Sequence, residues 1–184
     1  MGAGVVSVGT TTVNGALHMK ANPIARKANP GDIPEIQRLF RQLDAHQAEL
    51  LPEIFRHVER DVRGTDVIRS LIDRDDADYI VAVLGKTVVG FVDVQRASHP
   101  NFPMFRPHEF ALIENAVVDE SHRGKGVGKL LFRAANEWAR DHGLRYVQTS
   151  VWHANAGATQ FYLDVGFRPM TLRLELDLKS DAAP

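Results

Sequence analysis

Between residues 110 and 118 the chain is apolar at odd and even positions alike, interrupted only by Glu114 and Asn115. That pattern predicts a central strand covered by helices on both faces. Just downstream, Val127, Leu130, Leu131, Ala134, Ala135 and Trp138 recur at alternating spacings of three and one. They form the single apolar stripe of an amphipathic helix, which starts near Gly126 and stops at Gly143. Upstream, two β-branched runs over 79–84 and 87–94 flank Gly85-Lys86, a Gly-X loop suited to a type II′ hairpin. Residues 23–27 predict a short first strand. Asp32, with Glu35 three positions on, has the spacing of a capping box, and Ile33, Ile36, Leu39, Phe40 and Leu43 give the helix after it one buried face. Pro52 must break that helix, and a second is expected over 65–73.

The remaining pattern predicts a strand over 146–152 and a short helix over 155–165 ended by Gly166. Last comes a one-faced strand in which Leu172, Leu174, Leu176 and Leu178 alternate with Thr171, Arg173, Glu175 and Asp177. This strand either pairs across a homodimer or closes the monomer. The order β, two helices, hairpin, β, helix, β, helix, β describes one α/β domain over 21–179. Its sheet is expected to be mixed but mostly antiparallel, with six to seven strands and helices on both faces. Residues 1–20 have no periodicity and lack the basic start and apolar core of a secretion signal. Met19 is a more natural start, so the residues before it are expected to be a leader or extension. Residues 180–184 are expected to fray.

Composition narrows the field mainly by exclusion. The 184 residues, 44% hydrophobic and 24% charged, suffice for one buried core. A net charge of −1 gives no global case for nucleic acid or a membrane surface, and no run approaches the ~18 apolar residues of a membrane span. With no cysteine there is no disulfide framework, thiol nucleophile or Cys-ligated zinc, which is compatible with a reducing, cytoplasmic setting. The eight His form no H-x-x-x-H pair, and no metal is expected.

Candidate chemistry concentrates at the glycine-rich, basic turn before the long helix. Helix N-termini carry unpaired N–H groups and a partial positive charge, so a turn of small residues can lay a phosphate directly on backbone donors. Gly124, Gly126 and Gly128 supply that access, and Arg123, Lys125 and Lys129 add charge beside it. A flexible turn with solubilising lysines is the plainer alternative. A Walker A loop fails because Leu130 follows Gly128-Lys129, and a dinucleotide fingerprint fails because Lys129 or Leu131 stands where its third glycine belongs.

What the turn does fit is the signature Q/R-x-x-G-x-G/A, with Arg123, Gly126 and Gly128 at its defining positions and Ala116-Val117-Val118-Asp119 before it. It resembles the pyrophosphate loop of the GNAT superfamily of acetyl-CoA-dependent N-acetyltransferases. Downstream, Asn155-Ala156-Gly157-Ala158 and Phe161-Tyr162-Leu163-Asp164-Val165-Gly166-Phe167 resemble the family's N-x-x-A and F-Y-x-x-x-G-F. The resemblance runs over residues 23–178.

It implies a sheet whose fourth and fifth strands splay apart to admit the pantetheine arm of acetyl-CoA. By position, Ala116, Val117 and Val118 would pair with that arm, and Asn155 would touch it. Arg123, Gly124, Lys125, Gly126, Val127, Gly128 and Lys129 would hold the pyrophosphate. Glu114 matches the strand carboxylate that many members use as base, and Tyr162 the general acid. A protonated amine acceptor of pKa near 10.4 needs such a base, because its deprotonation costs on the order of 4 kcal/mol at pH 7. Ser150 stands where members acting on ribosomal-protein N-termini carry Glu, and Asn115 and Ala116 stand where relatives often carry Asp and Leu. The expectation is an N-acetyltransferase acting on a primary amine of a small molecule, peptide or protein. A non-catalytic acyl-CoA sensor is the alternative.

Overall fold

Five strands form one sheet in their sequence order: Ile24–Lys27 (β1), Ala77–Leu84 (β2), Thr87–Ser98 (β3), Glu109–Val118 (β4) and Val147–Thr149 (β5). The computed structural model describes residues 22–178. Every neighbouring pair is antiparallel except β4 and β5, which run parallel. The helices are Ile33–Leu50 (α1), Thr65–Ile72 (α2), Val127–Asp141 (α3) and Ala156–Asp164 (α4). Among the described residues no helix is long and apolar enough to cross a membrane.

The sheet separates two cores. On one face Ile36, Leu39, Phe40 and Ile68 of α1 and α2 pack on Tyr79, Val81, Phe91 and Val117. On the other, Val127, Leu131, Ala135 and Trp138 of α3 pack on Ile80, Val92, Val94 and Ile113. The alternation of β-strand side chains between faces is what lets one run such as 88–94 feed both cores. Trp138, at the far end of the α3 stripe, donates its indole N–H to Asp78 at 2.9 Å. Gly90 leaves no room for a side chain between β3 and β4, since a Cβ there would lie 2.8 Å from the Val117 carbonyl oxygen.

Most predicted elements stand within a few residues of their expected limits, with three differences. The strand expected over 172–178 does not form: these residues lie outside the sheet, and Leu172, Leu174, Leu176 and Leu178 are 75–88% exposed. The described sheet therefore has five strands, not six to seven. A one-faced pattern prepares a strand, but only an adjacent edge makes one. β5 is likewise shorter than the expected 146–152.

The capping box also lies three residues earlier than expected. Asn29 accepts from the Gly31 amide at 2.9 Å, and Asp32 accepts from the Asn29 amide at 2.8 Å, across a 3-10 turn at Pro30–Asp32. Asp32 already has helical backbone angles and caps no amide of α1, pairing instead with Arg26 at 2.7 Å. The sequence-predicted leader over 1–20 and tail over 180–184 lie outside the described residues.

Candidate active site

β5 pairs with β4 at only three positions, Ala111 with Val147, Leu112 with Gln148 and Ile113 with Thr149. Beyond Ile113, β4 runs on to Val118 while β5 has ended. On that side the stretch 114–118 has no strand beside it, so the sheet opens into a gap. A cavity of about 620 Å³ fills the space between this open stretch and the helices α3 and α4. Its walls are apolar along the strand, from Ile113, Ala116, Val117 and Val118, and become glycine and base at the turn, from Arg123, Gly124, Gly126 and Lys129. An apolar slot ending in unpaired amides and cations suits a ligand with a neutral, amide-bearing arm and an anionic end.

A buried carboxylate shapes the open stretch of β4. Val92 pairs with Ala116 and Val94 with Ile113, so Glu114 and Asn115 together oppose the single residue Asp93. This is a β-bulge. Asp93, 5% exposed, accepts the amide N–H groups of Glu114 at 3.1 Å and Asn115 at 2.7 Å and the Asn115 carboxamide N–H at 2.7 Å. Burial pushes its carboxyl up to about 6 despite those three donors, with the Glu114 charge adding to the rise. Glu114, expected as the carboxylate inside a buried strand, is instead exposed. The bulge turns it outward, so it escapes the several kcal/mol that an unpaired buried charge costs. The buried carboxylate beside this stretch of β4 is Asp93.

The turn after β4 is pinned from behind. Asp119 caps the 3-10 turn Glu120–His122, accepting from the Ser121 amide at 3.0 Å, and meets Arg38 of α1 at 2.5 Å. Burial alone would raise its carboxyl, but hydrogen bonds from Ser121, Arg38 and His122 hold it well below the usual carboxylate range. Gly124 and Gly126 then take φ of +72° and +83°, left-handed backbone that a β-branched residue adopts only under strain. Gly126 is the N-cap of α3, and no side chain caps that end. The first amides of the helix thus keep the donor capacity that an anion uses.

Tyr162, on α4, lines the cavity. Burial raises its phenol above the ordinary value, with Thr149, the last residue of β5, pulling the other way. It therefore holds its proton at neutral pH. Phe167 packs edge-on to Tyr162 at 5.1 Å and tilted on Phe132 of α3 at 5.3 Å, fixing α4 over the gap.

Of the residues singled out by sequence, Ala116, Val117, Val118, Arg123, Gly124, Gly126, Gly128, Lys129 and Tyr162 meet around the one cavity. Others are placed differently. The Lys125 ammonium donates to the Ser121 carbonyl at 2.7 Å, and the Val127 side chain is buried in the α3 core, leaving only its amide for the turn. The Asn155 carboxamide accepts from the Ala158 amide at 2.9 Å as the N-cap of α4. Glu114 stands on the open stretch but is not among the residues lining the cavity. Sequence reasoning missed Asp93, Thr149 and His122. A lone acid inside the β-branched run 87–94 was the available signal for Asp93; nothing local marked the other two.

Comparisons with known proteins agree with this geometry. The model of the acetyltransferase (GNAT) family matches residues 42–167. The chain is 34% identical to an uncharacterized N-acetyltransferase of Methanocaldococcus jannaschii over 97 residues, 53% of this chain and 42% of that protein. It spans less than half the length of the curated relatives it matches. A mutant of the BH1408 protein of Bacillus halodurans superposes with TM-score 0.79 at 24% identity, over 84% of this chain and 99% of that one. The aminoglycoside N-acetyltransferase AAC(6')-Iy in complex with CoA gives 0.66 at 16% identity, over 88% of this chain and 97% of that one.

Proposed function

The chain belongs to the acetyltransferase (GNAT) family, and we propose that it transfers an acetyl group from acetyl-CoA directly to a primary amine. The observation that carries this reading is the gap beyond Ile113, which opens beside 114–118 and leads onto the uncapped start of α3. Val117 and its neighbours offer strand edge to the amides of the pantetheine arm. The α3 amides with Arg123 and Lys129 take the diphosphate. Bound there, acetyl-CoA supplies an activated thioester at the strand opening.

In this reading Glu114 faces the acceptor side and removes the ammonium proton, directly or through one water, which frees the nitrogen lone pair for the carbonyl carbon. Holding both reactants in place makes a covalent enzyme intermediate unnecessary. A backbone N–H near Val117 polarises the carbonyl oxygen. As the carbon–sulfur bond breaks, Tyr162 gives its proton to the departing sulfur, and solvent restores it. Asp93 reacts with nothing. It holds the bulge that sets where Glu114 points.

Turnover of acetyl-CoA against a panel of amines, aminoglycosides, polyamines, amino acids and peptides tests the proposal. Acetylation of at least one amine is expected, with kcat falling about 100-fold in Glu114→Gln and in Tyr162→Phe while CoA affinity stays within twofold. CoA binding with no acceptor in the panel, or variants indistinguishable from wild type, would favour the sensor.

A further inference from the structure

We propose that His122 is a phosphate-binding residue of the cavity, held so that it meets the diphosphate only as an imidazolium, and that coenzyme binding therefore takes up a proton. This rests on the reading of that cavity as a coenzyme site.

The hydrogen-bond network behind the ring carries it. His122 lines the cavity together with Arg123, Gly124 and Lys129 and ends the 3-10 turn Glu120–His122. Its Nδ1 faces residues that do not line the cavity, 2.8 Å from the Ser121 hydroxyl oxygen and 3.4 Å from Asp119 Oδ1. Ser121 Oγ donates to Asp119 Oδ1 at 2.5 Å. The Asp119 carboxyl, held well below the usual carboxylate range, is ionised and can only accept. A hydroxyl has one hydrogen, and that of Ser121 is spent on Asp119, so toward His122 its oxygen also accepts. Both neighbours of Nδ1 are acceptors. Nδ1 is therefore the nitrogen that carries the hydrogen.

The consequence falls on Nε2, which has no hydrogen-bond partner among the described residues. In a neutral ring with its hydrogen on Nδ1, Nε2 is a bare lone pair, and it repels a phosphate oxygen. With a second proton the same nitrogen becomes a charged donor, which makes the stronger kind of hydrogen bond to an anion.

The surrounding charges make the ligand the natural trigger. Behind the ring, Asp119 is already paired with Arg38 of α1, which also holds Glu35. Around the turn stand Arg123, Lys129 and Lys125, the last donating to the Ser121 carbonyl, with Glu120 exposed. Across the cavity, Tyr162 of α4 keeps its proton. A diphosphate adds two negative charges to this cationic rim, and nearby negative charge favours the imidazolium. The proton comes from solvent.

Calorimetry with 3′-dephospho-CoA tests this, because its diphosphate stays fully ionised near neutrality, whereas a phosphate monoester such as that of CoA titrates near pH 6 itself. Titrations near pH 7 in buffers of different ionisation enthalpy should show uptake of about half to one proton per chain. Affinity should be about tenfold higher at pH 5.5 than at pH 8. In His122→Gln, a change at a side chain 25% exposed, the uptake should vanish and affinity should vary less than about twofold over that range. Binding without proton uptake in the wild type overturns the proposal and leaves the reading of the cavity standing. An uptake that survives His122→Gln does the same and assigns the proton elsewhere, with Asp93, raised to about 6, the first candidate. No binding of CoA or 3′-dephospho-CoA at any pH overturns the reading of the cavity and this inference together.

Discussion

Up to Leu144 the molecule is a two-sided sandwich of sheet and helices, with Phe91, Ile36, Leu39, Ile68 and Val81 removed from solvent. After Leu144, no described residue is buried. The two regions are not unlike in composition: the later one holds Trp152, Phe161, Tyr162, Leu163, Phe167 and the four terminal leucines. They differ in what stands beside them. In the first region both faces of the sheet are covered by helices, whereas in the second the sheet has parted after three paired positions and left room instead. The lesson is a division of labour, in which stability resides upstream of Leu144 and the cavity forms where that core meets the looser region after it.

The largest effect that could break this comparison is on stability. Phe91→Ala, at 0% exposure between the rings of Phe40 and Tyr79, should cost about 3–5 kcal/mol in denaturant unfolding. A loss under 1 kcal/mol would mean that the upstream core is not where stability resides. Next, Gly126→Val forces a β-branched residue to φ of +83° at the start of α3. CoA affinity by calorimetry should fall at least tenfold, with a stability loss of about 1–3 kcal/mol. Unchanged affinity would remove the turn from the binding site.

Asp93 sharpens the comparison, because it belongs to the stable region but holds the bulge at the open stretch of β4. Its carboxyl is raised to about 6, above an unfolded value near 3.9. The folded state therefore binds more protons, and the stability this group contributes is present below about pH 4 and lost as pH rises through 6. Denaturation should show the protein about 1 kcal/mol more stable at pH 5 than at pH 7.5 from this group, and Asp93→Asn should flatten that slope. A slope that survives the substitution would assign it elsewhere. The smallest effect is expected downstream: Leu163→Ala, 44% exposed on α4, should cost less than about 1 kcal/mol. A core-sized loss would show that α4 is packed as the upstream helices are.

What could be read from the chain followed the range of the interaction involved. The turn at Arg123–Lys129 was legible as a glycine-rich helix start because its glycines, cations and first helical residues are contiguous. The α3 stripe and the Gly85-Lys86 hairpin were legible for the same reason. Asp93 was not, since its partners are the amides of Glu114 and Asn115 on the neighbouring strand, and a bulge is a property of two strands in register. Glu114 was expected inside a buried strand and is exposed, on the same bulge. Asn29 and Asp32 share their cap because the 3-10 turn between them places Asp32 already inside helical geometry, which spacing alone does not reveal. The leucines at 172–178 show the limit from the other side, where a strand pattern is present and no strand of the described sheet pairs with it.

Hydrogen exchange with and without CoA tests most directly whether the opening beside β4 is the ligand site. The account predicts that CoA slows exchange at amides within residues 116–118 and 124–129 and leaves β1 and β2 unchanged. Protection confined to any other part of the molecule, or none at saturating CoA, would contradict it.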